Sequence, residues 1–217
     1  MNNLLAMNGY QRIKAALAGE WPDQRPVMLH NFMMAAREAG LTMKEYRENP
    51  DKAAKAFIQA VEKYDTDGVL IDIDTATLAG AVGVKVDFPD DQPARTYGIR
   101  LSSLQEVNDL KPASISKNER IQIWLEICRV VKNHFGNEKF VRGNCDQAPF
   151  SLASMMRGPV EWMMDLVSDD VLIFKLLDFC ADTCFQFITL MAETGVDMIS
   201  NGDSTAGPEM ISPEMYR

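Results

Sequence analysis

Apolar residues recur three and four apart at Ala53, Ala54, Phe57, Ile58 and Val61, the spacing of one helix face. Asn49 supplies a cap for that helix, and Pro50 fills its first position, where a missing N–H costs nothing. The same logic predicts a helix from Asn8 to Gly19. Another stands behind a Ser116/Glu119 capping box, buries Ile121, Trp124, Leu125, Cys128 and Val131, and stops at Gly136. A long one runs from about Asp169 to Glu193, capped by Ser168 and closed by Gly195. Between the helices lie short apolar runs at 27–32, 68–74, 139–144 and 196–200, which read as buried strands. The stretch 84–88 alternates and runs into Pro89-Asp90-Asp91-Gln92-Pro93, a small hairpin decorating a loop.

Strand, helix, strand at this spacing predicts βαβ units and a parallel sheet in a single domain over 1–217. Polar residues gather just after each strand, which in a (β/α)₈ barrel is the catalytic face. A doubly wound sheet is the alternative, but no Gly-rich phosphate loop follows the first strand. A complete barrel takes ~250 residues and eight strands. Here four strands fill 217 residues. Ser212-Pro213-Glu214 starts a further helix three residues before Arg217. The expected architecture is therefore a TIM barrel cut to about its first four βα units.

Composition narrows the partners. With 22 Lys+Arg against 31 Asp+Glu and a net charge of -9, the chain is a poor non-specific ligand for nucleic acid. A polyanionic substrate must be met by a few placed arginines. No apolar run reaches the ~20 residues of a membrane span, and Met1 to Ala6 is too short and polar for a signal peptide. Cys128, Cys145, Cys180 and Cys184 match no structural zinc spacing, so a cytoplasmic protein with reduced thiols is expected. Cys180 and Cys184, four apart on a helix, could be half a metal site; buried small hydrophobes are the better reading.

Five segments resemble the uroporphyrinogen decarboxylase superfamily. Arg25-Pro26-Val27 looks like its entry to the first strand. The run from Arg37-Glu38-Ala39-Gly40-Leu41 to Glu45-Tyr46-Arg47 resembles R-Q-A-G-R-Y-x-P-E-Y-R. Asp72-Ile73-Asp74 before Ala81-Val82-Gly83 resembles the strand carrying the decarboxylase's central aspartate, with Asp74 in its place. Ala148-Pro149-Phe150-Ser151-Leu152 is similar to G-A-P-[WF]-[TS]-L, and Asp203-Ser204-Thr205-Ala206-Gly207 to D-S-x-A-G. Two departures stand out: Leu41 replaces the motif's second arginine, and Met155 replaces a tyrosine. Losing a charged partner and a hydroxyl weakens recognition of a polycarboxylate by several kcal/mol, of order the ~1–3 kcal/mol each such group supplies.

The resemblance implies an enzyme acting on a tetrapyrrole or a corrinoid-linked methyl group. The departures favour the branch similar to methylcobalamin:coenzyme M methyltransferase, which moves a methyl group to a thiol or related acceptor, over uroporphyrinogen decarboxylation in porphyrin and heme biosynthesis. An inactive fragment or binding module is the third reading. In that branch zinc is held by His-x-Cys and a later Cys in the second half of the barrel. No metal site is therefore expected in these residues, while zinc and a corrinoid (methylcobalamin) belong to the full-length parent. Asp74 and Asp72 are the catalytic candidates, their carboxylates sharing one face by strand alternation. Arg37, His30, Arg142, Asn144, Asp146, Asp203 and Ser204 are candidates for substrate binding. A half-barrel leaves sheet edges and apolar surface open, so a homodimer or other self-association is expected.

Overall fold

A computed structural model describes residues 6–168 and 170–216. Its elements run α1 (Gly9–Leu17), β1 (Met28–Leu29), α2 (Met33–Glu38), α3 (Met43–Glu48), α4 (Pro50–Tyr64), β2 (Gly68–Ile71) and α5 (Thr77–Ala81). The hairpin β3 (Val86–Asp87) and β4 (Arg95–Thr96) follows, then a 3-10 turn at Leu104–Asp109 and α6 (Glu119–Phe135). The chain continues through β5 (Phe140–Gln147), α7 (Pro149–Arg157), α8 (Pro159–Asp165), α9 (Asp170–Ala192), β6 (Met198–Gly202) and α10 (Pro213–Tyr216). The main sheet has the order β1-β2-β5-β6, with β1–β2 and β2–β5 parallel. This is an α/β fold whose neighbouring strands follow chain order.

The chain weaves between two compact units: 1–73, 123–144 and 191–200 form the first, and 74–122, 145–190 and 201–217 the second. In the first, α4 buries Ala53, Ala54, Phe57 and Val61, the face that its periodicity predicts. Val69 and Ile71 of β2, Val141 of β5 and Leu125, Cys128 and Val131 of α6 are fully buried with them. Two aspartates fasten strand entries. Asp67 donates its N–H to Val27 O (2.9 Å), while its carboxylate accepts from Val27 N (2.8 Å) and Arg12 Nη1 (2.9 Å). Asp197 repeats the device on Val141, donating to its O and accepting from its N (both 2.8 Å), and pairs with Lys132 at 2.6 Å. Each double bond fixes register between neighbouring strands at the end opposite the strand-end side chains considered below.

In the second unit, Leu78, Leu101, Ile115, Ile121, Leu152, Met156, Trp162, Leu176, Cys180 and Phe187 form the core. Gly158, at φ 96, turns the chain between α7 and α8 where an L side chain would be strained. Arg157 crosses beneath that turn to Asp165 (2.7 Å) and Ser102 O (3.1 Å).

The hairpin at β3–β4 pairs antiparallel, as the alternation predicts. Several expectations need correction. The Ser116/Glu119 box is not formed: Asn118 Oδ1 accepts from Ile121 N (3.2 Å), two residues closer to the apolar run. Ser168 donates to Met164 O and Asp165 O at the end of α8, and the helix start for which it is the expected cap, at Asp169, lies outside the described residues. β5 continues to Gln147, past the run read as a strand. The short helices α2, α3, α5, α7 and α8 fall below the length at which periodicity is legible.

Candidate active site

In the first unit, polar side chains collect where β1 and β2 end. His30 follows β1, and its Nε2 stands 3.4 Å from Asp72 Oδ2, just past β2. The imidazole is 53% exposed while Asp72 is 8% exposed, so the pair has one open side and one sealed side. Tyr46, fully buried on α3, ties the two strand ends together. Its hydroxyl donates to Asp72 O (3.0 Å) and makes a longer contact with Phe32 O (3.5 Å). Phe32 has φ 47 and ψ −128, a strained geometry for an aromatic residue and a kind that clusters at functional sites. Asn31, beside it, keeps both amide atoms from solvent without a hydrogen-bond partner.

β5 contributes Arg142 and Asn144 on one face, with Val141 and Gly143 buried on the other. Asn144 Oδ1 accepts from Ser200 Oγ of β6 (3.0 Å). Arg142 is half-buried and in register with Leu70 of β2. Its Nε is sealed from solvent and meets no acceptor, at a cost of about 1–3 kcal/mol. Arg37 is exposed on the last turn of α2.

In the second unit, three of the expected site carboxylates are engaged by helix N-termini. The first turn of α5 follows Ala76, which has no side chain to cap it. Asp74 (2% exposed) does so instead: Oδ1 accepts from Ala76 N (2.9 Å) and Thr77 N (2.7 Å), and Oδ2 from Thr77 Oγ1 (2.9 Å). Asp146, held at φ 55, accepts from Leu78 N (2.8 Å). At α7 the capping position is Ala148, and Asp203 reaches in from the end of β6. It accepts from Phe150 N (3.1 Å), Ser151 N (2.7 Å) and Ser151 Oγ (2.6 Å). Ser204 donates to Gln147 Oε1 (3.3 Å). β2 closes at Ile71, so the alternation expected to pair Asp72 with Asp74 does not extend to them; Asp72 falls in the first unit and Asp74 in the second.

All four cysteines are buried, and burial pushes the Cys184 thiol up to about 12 and those of Cys145 and Cys180 well above their ordinary value. Such thiols are poor ligands and poor nucleophiles. Among the described residues, no three His, Cys, Asp or Glu side chains come together to hold a metal. The residues described therefore do not fit a zinc ion. Sequence reasoning passed over Tyr46, Asn31, Asp67 and Asp197. A tyrosine or aspartate that serves a distant backbone leaves no local spacing to read.

The chain is 25% identical over 211 residues to methylcobamide:CoM methyltransferase MtaA of Methanosarcina barkeri, covering 95% of this chain and 61% of that protein. It is 31% identical over 134 residues to methylcobamide:CoM methyltransferase MtbA of Methanosarcina mazei, covering 62% of this chain and 38% of that one. It is also 26% identical over 220 residues to uroporphyrinogen decarboxylase of Parasynechococcus marenigrum, covering 93% of this chain and 59% of the relative. The chain thus spans about three-fifths of the length of MtaA and of that decarboxylase. The solved structure of a methyltransferase from Methanosarcina mazei superposes with a TM-score of 0.86 at 22% identity, over 97% of this chain and 63% of that one, and so shares its fold. The family model for uroporphyrinogen decarboxylase (URO-D) matches residues 8–217, and the chain belongs to that family.

Proposed function

We propose that this chain is the first half of a (β/α)₈ barrel enzyme that moves a methyl group from a corrinoid to a thiol or related acceptor. Support for the barrel comes from the strand order: β1-β2-β5-β6 follows the chain with no reversal, whereas a doubly wound sheet reverses at its switch point. On this reading 1–217 is one domain lacking four strands, it works in the cytoplasm, and turnover requires the missing strands.

One observation carries the choice of methyl transfer over uroporphyrinogen decarboxylation. The segment resembling the decarboxylase's two-arginine motif closes α2 as a Schellman cap. Gly40, at φ 69, donates to Arg37 O (3.2 Å), and Leu41 donates to Ala36 O (2.9 Å). Leu41 is the half-buried apolar residue such a cap uses, where a polycarboxylate site would need a cation. Met155, in place of a tyrosine, removes a hydroxyl as well.

In the proposed chemistry His30 is the general base. Its Nε2 faces Asp72, leaving Nδ1 to accept the acceptor's S–H proton. Asp72 offsets the charge that develops on the ring, and Tyr46 holds both strand ends in place. The thiolate sulfur then bonds to the donor's methyl carbon, and the electron pair of the broken bond stays on the donor. Asp74 holds α5, with Asp146 beside it, and Asp203 holds α7.

The test is an assay of the polypeptide continued to the length of its relatives, given methylcobalamin plus thiols in one arm and uroporphyrinogen in the other. Thiol-dependent demethylation is expected, with His30→Gln and Asp72→Asn slower by roughly 10²–10⁴. CO₂ release from uroporphyrinogen without demethylation would overturn the choice.

A further inference from the structure

Arg142 is a guanidinium that the fold has partly withdrawn from water without supplying an anion. Among the described residues no carboxylate pairs with it and no acceptor reaches its sealed Nε. Two half-buried cations elsewhere in the first unit do have carboxylate partners. Arg12 is held by Asp23 and Asp67, and Lys132 by Asp197. Natural sequences rarely leave a half-buried charge unmet.

Position says what should meet it. Arg142 is opposite Leu70 in register, and Asp72 follows Leu70 by two residues. A strand spacing of ~4.8 Å separates Arg142 from Leu70, and Asp72 stands one residue past the end of β2. A small molecule lying across the strand ends could reach both the guanidinium and the His30–Asp72 pair. Asn144, on the same face as Arg142, accepts from Ser200.

We infer that Arg142 anchors an oxyanion, a carboxylate or a sulfonate, on the small acceptor that reacts beside His30. This rests on the proposed site but not on the methyl transfer itself. The fork geometry of a guanidinium suits either oxyanion, and one such group per molecule satisfies one unmet arginine.

The experiment is a titration of the 217-residue chain with sodium acetate and with sodium methanesulfonate, against sodium chloride at matched ionic strength. Calorimetry and the thermal midpoint are the readouts. We expect saturable binding of at least one oxyanion, weakened about tenfold or more in Arg142→Gln and partly retained in Arg142→Lys. A sealed Nε–H exchanges slowly, so its proton–nitrogen resonance in the unmodified chain should move along the same titration, which keeps the test open if Arg142→Gln does not fold. No oxyanion-specific binding to the folded chain, or equal binding by Arg142→Gln, would overturn the inference. Oxyanion binding without demethylation would leave the anchor standing and remove the methyl-transfer reading.

Discussion

Replacing Asp74 separates structure from chemistry at the strand ends. Its carboxylate accepts three hydrogen bonds, two from the first turn of α5 and one from Thr77 Oγ1, and the residue is 2% exposed. In Asp74→Ala, water cannot readily take over those donors. An N-cap loss of about 1–2 kcal/mol and one further buried donor left without an acceptor give a total of about 3 kcal/mol. Asp146 still serves Leu78 N, so the helix is weakened rather than lost. For a chain of this size, about 3 kcal/mol lowers the thermal midpoint by roughly 6–12 °C. Asp74→Asn keeps one acceptor oxygen and should cost only about 1 kcal/mol, or roughly 2–4 °C. Melting curves of the two variants, with activity measured well below either midpoint on the polypeptide continued to the length of its relatives, decide the matter. If Asp74→Ala melted within a degree of the parent while abolishing turnover, the carboxylate would belong to the chemistry and the capping argument would fail.

Three further outcomes follow from buried charges, thiols and surface. Asp197→Ala leaves Lys132 without its carboxylate and Val141 N without its acceptor; a loss of about 3–5 kcal/mol is expected in urea melts. The thiol of Cys184 sits at about 12 against an ordinary value of 9.0, because burial disfavours the thiolate. The unfolded chain therefore releases this proton first. Its contribution to stability is complete below pH 9 and declines as pH rises from 9 toward 12, which urea midpoints across that range would show. At pH 8 the native cysteines should label far more slowly with a thiol reagent than the denatured ones. Val160, Met164, Val167 and Phe174 are each at least 64% exposed, and we expect self-association through them. A clean monomer by light scattering at micromolar concentration would contradict that.

How much was legible in the sequence depended on how far a residue's partner lies along the chain. Asn8, with its partner Gln11 three residues on, and Asn49 with Lys52, were read correctly because a cap and its helix share one turn. The apolar face of α4 was equally plain, since its own spacing describes it. Strand positions were found, but the limits of β2 and β5 were not, because strand ends are set by pairing with neighbours rather than by composition.

The carboxylates after the strands show the limit most clearly. Acidic residues at those positions suggest chemistry, and Asp72 beside His30 has an arrangement suited to it. Asp203 sits 52 residues from Ser151, and Asp146 sits 68 from Leu78. No local motif announces a cap delivered from another strand. The missing signal is instead at the helices: α5 and α7 begin behind Ala76 and Ala148, neither of which can accept a hydrogen bond through its side chain. A short helix that opens behind alanine requires an acceptor from elsewhere, and in an α/β fold the nearest source is the end of an adjacent strand. The same acidic residue is therefore expected wherever such a helix follows a strand, whatever reaction the enzyme runs. Asp74, Asp146 and Asp203 would then mark the family's architecture, and His30, Asp72 and Arg142 the features to vary when its chemistry is sought.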